Sequence, residues 1–72
     1  MDREIFLKLG YHVKYKRDLK NISQEKLAEL ADISLSIISD LERGRGNMTI
    51  RNLYKIAKVL DIDLGMLTNP QI

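Results

Sequence analysis

Five cations, Arg43, Arg45, Arg51, Lys55 and Lys58, occupy residues 43–58 without a carboxylate among them. The stretch before them, 21–42, holds one basic and five acidic side chains. This separation gives one surface that draws polyanions and others that do not, although the net charge of the chain is only +2. A solvated basic helix face would account for the block equally well, so charge alone leaves both readings open. Other chemistry is harder to assemble. His12 is the single histidine, and neither a Ser/His/acid set nor a Gly-rich phosphate loop accompanies it. Asp61 and Asp63 could act as paired carboxylates, but a helix cap and a solvated loop explain them more simply. With no cysteine there is neither a disulfide framework nor a thiolate metal site. Catalysis, a bound cofactor and a metal centre are not expected, and no small-molecule ligand site is apparent.

The elements that must position these groups are helical. Apolar residues recur at helical spacing in five segments, and no period-2 run is bounded by turn residues. The first helix is expected from Asp2 to Leu19, with Ile5, Phe6, Leu9 and Val13 inward and Gly10 weakening it by about 1 kcal/mol relative to alanine. The second runs to Ala31 from Ser23, a good N-cap. The third begins at Ser34, again a cap, and stops at Gly44, a natural residue just past a helix end. The fourth follows Thr49 and carries Ile50, Leu53, Ala57 and Leu60 on one stripe, with Arg51, Lys55 and Lys58 on another. Asp63 is expected to cap a short fifth helix, Leu64 to Leu67, within 63–68.

At 72 residues the chain has room for one domain, 1–72. So small a domain is marginally stable alone, and subunit association would add burial. Hydrophobic residues at 44% and charged residues at 31% suit a globular protein rather than a disordered one. Asp2, Arg3 and Glu4 open a terminus with no apolar run for a signal peptide or membrane span, so a cytoplasmic setting without membrane contact is expected. A compact all-α bundle is the architecture that short helix–helix connections allow.

The geometry that matters most lies between Gln24 and Leu41. Two short helices are joined by Asp32-Ile33, a link that permits only a sharp bend, so residues 23–43 read as a helix-turn-helix. Leu27, Ala28, Leu30 and Ala31 fall on one side of the leading helix, and the small Ala28 lets the two helices cross closely. In the following helix Ile37, Ile38 and Leu41 point inward. Leu35, Ser36, Ser39, Asp40 and Arg43 remain outside, a narrow face of mostly small polar groups. Such a face suits the major groove of double-stranded DNA, which admits one helix and is read by its side chains. A plain solvent face is the competing reading, yet its first four members include neither Lys nor Glu.

At these residues the sequence resembles the phage-repressor and Cro-like, XRE-type helix-turn-helix family. Its carriers are Leu9-Gly10, Arg17, Ile22-Ser23-Gln24, Leu27-Ala28, Ile38, Leu41-Glu42-Arg43-Gly44 and Ile56-Ala57-Lys58-Val59-Leu60, within a match from Leu9 to Leu67. The resemblance implies a five-helix domain that binds a pseudo-palindromic operator as a homodimer and regulates transcription. It implies that Leu35, Ser36, Ser39 and Asp40 face base edges. Phosphate contacts are implied for Gln24, Ser34, Arg43, Arg45, Asn47, Thr49 and Arg51, and a structural ion pair for Arg17 and Glu42. Leu64, Met66 and Leu67, clustered after the last long helix, are the expected dimer contacts. Asp32 stands where the family usually has glycine, and Asp tolerates a left-handed backbone less well. Arg45-Gly46-Asn47-Met48-Thr49-Ile50, with the chain's brevity, resembles the controller proteins of restriction–modification systems. A helix-turn-helix that has kept its fold but meets an acidic protein instead of DNA is the alternative from another class.

Overall fold

A computed structural model describes residues 3–45 and 48–63. Within them lie four helices: α1 (Arg3–Leu19), α2 (Gln24–Ala31), α3 (Leu35–Glu42) and α4 (Ile50–Leu60). The fifth helix expected over Leu64 to Leu67, and its cap at Asp63, fall on or against residues outside the described ones.

Local chemistry starts and stops these helices. Ser23, Ser34 and Thr49 hold extended backbone ahead of α2, α3 and α4. Their side-chain oxygens accept from the N–H of Lys26 (2.9 Å), Ile37 (3.4 Å) and Asn52 (3.1 Å), each satisfying a donor that the helix cannot. The C-terminal ends follow one pattern. Asn21, Asp32, Gly44 and Asp61 adopt left-handed backbone, with φ of 59°, 57°, 76° and 57°. The next residue then donates its N–H back to a carbonyl five positions earlier: Ile22 to Arg17, Ile33 to Ala28, Arg45 to Asp40 and Ile62 to Ala57. This is the Schellman closure, which normally favours glycine at the left-handed position and a hydrophobic residue after it. Here asparagine or aspartate fills the left-handed position three times, and each time isoleucine follows and packs against the core. Asp32 makes the turn in place of glycine.

The core joins all four helices through Val13, Leu27, Ala28, Ala31, Ile38, Leu41, Ile56 and Leu60. Leu9, Ile22, Ile33, Met48, Val59 and Ile62 surround it. Three expected inward residues lie outside. Ile5 and Leu30 are each 51% exposed and Ile50 is 72% exposed. At about 100° per residue, Ile5 points some 80° away from Val13, and Leu30 about 100° away from the Leu27–Ala28–Ala31 direction. Ile50 is the first residue of α4, one turn beyond Leu53. Ile56, absent from the expected stripe, is fully buried and anchors α4 instead.

Gly10 has a structural reason that its local cost conceals. It is buried where α1 crosses the end of α3, and a Cβ there would run into the Leu41 carbonyl oxygen and the Glu42 Cα. Backbone, not a yielding side chain, occupies the space. Gly10→Ala should therefore destabilise the fold by about 1–3 kcal/mol, as overpacking does, despite the better helix propensity of alanine. Thermal unfolding followed by circular dichroism should show a lower midpoint; an equal or higher one would mean that α1 can withdraw from α3 freely.

Candidate nucleic-acid interface

The outer face of α3 is open. Leu35 is 43% exposed, and Ser36, Asp40 and Arg43 are exposed as well. Ser34 is exposed at the cap, and its Oγ lies 3.2 Å from that of Ser36. Ser39 is half-buried, turned toward the start of α2. There it meets Gln24, the first residue of α2 and also half-buried.

Behind this face runs a connected polar network. Arg17, near the end of α1, donates from Nε to Glu42 Oε2 at 2.8 Å and from Nη2 to Glu42 Oε1 at 3.1 Å. Its remaining terminal nitrogen donates to the Ile22 carbonyl at 2.7 Å and lies 3.4 Å from the Asp18 carboxylate. Gln24 Nε2 donates to Glu42 Oε1 at 3.1 Å, and the Ser39 hydroxyl donates to Gln24 Oε1 at 3.0 Å. The side chains of the ion pair are 11% and 4% exposed. The hydrogen bond from Arg17 to Glu42 pushes the guanidinium still further above its ordinary range; burial opposes this, while the Glu42 and Asp18 charges reinforce it. Arg17 thus stays charged at any pH the fold encounters, and the network carries no pH switch on that side.

The basic block divides in two. Arg43, Arg45 and Arg51 are exposed, and no carboxylate among the described residues pairs with them. They follow α3 and open α4, close in sequence to the exposed cap Thr49. Lys55 instead reaches back to the helix-turn-helix, its Nζ 3.4 Å from the Asp32 carbonyl oxygen. Lys58 lies 5.5 Å from the centre of the Tyr54 ring, in cation–π range. Charge alone groups all five; the family resemblance sets Arg43, Arg45 and Arg51 apart, but nothing in the sequence signals where Lys55 and Lys58 turn. Nor does the sequence signal the engagement of Gln24 inside the protein. Asn47, Leu64, Met66 and Leu67 lie outside the described residues.

No group of three or more His, Cys, Asp or Glu residues that could hold a metal occurs among the described residues. Nor is any described helix long and apolar enough to cross a membrane.

Among the described residues, α2 and α3 bent about a left-handed joint, with an open face of small polar groups on α3, define a helix-turn-helix protein. Residues 13–67 match the helix-turn-helix family profile, and the chain belongs to the phage-repressor-like, XRE-type helix-turn-helix family of DNA-binding transcriptional regulators. Its relatives include control protein C.BamHI of Bacillus amyloliquefaciens, 43% identical over 63 residues that cover 86% of this chain and 78% of the relative. The ImmF control region 10 kDa protein of Bacillus phage phi105 is 34% identical over 65 residues, covering 90% and 72%. Control protein C.SmaI of Serratia marcescens is 33% identical over 63 residues, covering 88% and 75%.

Glu42 accepts three N–H groups in a setting where an unpaired charge is costly. Glu42→Ala should cost about 3 kcal/mol, the lower end for breaking a buried pair, because it leaves the part-buried Arg17 guanidinium with only the Ile22 carbonyl and the exposed Asp18 carboxylate as partners. At about 4–8 °C per kcal/mol for a domain of this size, the midpoint should fall by more than 10 °C. The double variant Arg17→Met with Glu42→Leu should lose less than Glu42→Ala alone. A double variant as unstable as the single would place the loss elsewhere than in the stranded charge.

Proposed function

We propose that this chain is a sequence-specific regulator that binds a pseudo-palindromic DNA operator as a homodimer. The exposed α3 face carries the proposal: small polar groups that let a backbone approach closely, followed by three exposed arginines that pair with no carboxylate among the described residues. In this reading α3 lies in the major groove, and Leu35, Ser36, Ser39 and Asp40 meet base edges. Leu35 covers a thymine methyl, and Asp40 accepts from a cytosine amine. Gln24, Ser34, Arg43, Arg45, Asn47, Thr49 and Arg51 meet phosphates, Gln24 and Ser34 at helix N-termini that favour an anion. Leu64, Met66 and Leu67 join the two subunits. The similarity to two control proteins supports a narrower assignment as a restriction–modification controller, cytoplasmic and responding to its own concentration through dimerisation and operator occupancy.

Selection of bound fragments from the source genome, followed by footprinting, tests the whole reading. Two protected half-sites about 34 Å apart, one helical turn, are expected. No retardation of any fragment at low salt would instead favour a protein partner.

Arg43 offers a separate test. Against a selected operator, log K should fall linearly with log salt, by about 0.9 per neutralised phosphate. Arg43→Ala should weaken binding about equally across operator variants and make that slope shallower by about 1 per subunit. A change in base preference with an unchanged slope would mean that Arg43 reads bases instead.

A further inference from the structure

The hydrogen bonds around Gln24 have a direction that chemistry dictates. A carboxylate accepts and cannot donate, and both oxygens of Glu42 are already bound by the Arg17 guanidinium. Gln24 must therefore turn its amide nitrogen toward Glu42. Its carbonyl oxygen is left facing Ser39, which has to donate to it. A hydroxyl has one hydrogen. With that hydrogen engaged inside the protein, Ser39 Oγ has only lone pairs for anything that approaches α3 from outside. Ser36 is under no such constraint, because either hydroxyl of the Ser34–Ser36 pair can be the donor.

We propose that Glu42 and Gln24 polarise Ser39 into an obligate acceptor, so that it selects an amino-bearing base, adenine or cytosine, on the strand it faces. This rests on the reading that α3 presents Ser39 to base edges. In the major groove adenine and cytosine offer amines, at N6 and N4, where guanine and thymine show the oxygens O6 and O4. A keto oxygen opposite Ser39 finds no proton. Turning the hydroxyl to serve it would leave the half-buried Gln24 carbonyl without its donor. Gln24 and Glu42 are thus positioning residues for base discrimination, a role beyond any phosphate contact Gln24 makes. The discrimination should be about five- to tenfold, the worth of one neutral hydrogen bond.

The test measures affinity for a selected operator and its full set of single base-pair changes, with the intact protein and two variants. Ser39→Ala identifies the base pair that Ser39 reads. At that pair the unaltered protein should prefer adenine or cytosine on one strand, and both Ser39→Ala and Gln24→Ala should abolish the preference. If Gln24→Ala fails to fold, Gln24→Lys serves, because its ammonium donates to Glu42 and to Ser39 and releases the Ser39 hydrogen. The preference should then vanish or invert toward guanine and thymine. A preference that survives in the folded Gln24 variant would overturn the proposal, as would an initial ranking that does not set A·T and C·G, read on one strand, apart from T·A and G·C. So would a Ser39→Ala variant that alters no base position. Failure of the unaltered protein to bind any duplex would be a different result, removing the DNA-binding reading beneath it.

Discussion

The pairing of Arg17 with Glu42 is the constraint on which the placement of α3 depends. One guanidinium reaches the end of α3, the carbonyl of Ile22 at the corner between α1 and α2, and the side chain of Asp18. Desolvated charges favour a fold only when each lone pair and each proton has a partner. Glu42 meets that demand with Arg17 and Gln24, so three segments must converge on one carboxylate. In a chain this short the apolar core alone would tolerate small rotations of α3. The network tolerates fewer, because its distances hold α1, the α2 N-terminus and the end of α3 together.

This dependence also separates what could be read from sequence from what could not. Caps are local: Ser23, Ser34 and Thr49 each satisfy an N–H three residues on, and their types announce it. The buried faces of α2 and α3 were legible through Leu27, Ala28, Ile38 and Leu41, since helical spacing marks them. Ile5 and Leu30 were misplaced although helical spacing already turns them away from the buried direction, and Ile50 because it stands at the exposed start of α4. Gly10 looked like a weak point within α1; its reason is the Leu41 backbone, which belongs to another helix. For Gln24, residue type fits an outward donor and an inward link equally well, and the position of Glu42 across the fold decides how its amide turns. The repeated Asn-Ile and Asp-Ile pairs at 21–22, 32–33 and 61–62 were visible all along. They carry a helix-stop signal that a search for glycine passes over.

The basic block shows the same limit from the electrostatic side. Charge counting treats Arg43, Arg45, Arg51, Lys55 and Lys58 as equals. Lys55 crosses to the Asp32 carbonyl and so braces the joint between α2 and α3, whereas the three arginines leave their guanidinium groups to solvent. Guanidinium is also the better match to phosphate, being planar, permanently charged and able to donate two parallel hydrogen bonds. Lys58 is exposed like the arginines, so Lys55 alone of the five reaches the joint.

The corners themselves bear on how such a chain can change. At Asn21-Ile22, Asp32-Ile33 and Asp61-Ile62 the left-handed residue ends a helix, and the isoleucine after it both closes the last turn and plugs the core. Adding or deleting a residue at such a corner would split those duties: the closing hydrogen bond or the buried isoleucine could be kept, not both. These joints consequently admit few residue types, those that tolerate a left-handed backbone followed by an apolar plug, and are closed to insertion and deletion. The lengths of the links between α1 and α2 and between α2 and α3 are thus set by the core, a constraint that the exposed residues of α3 do not share.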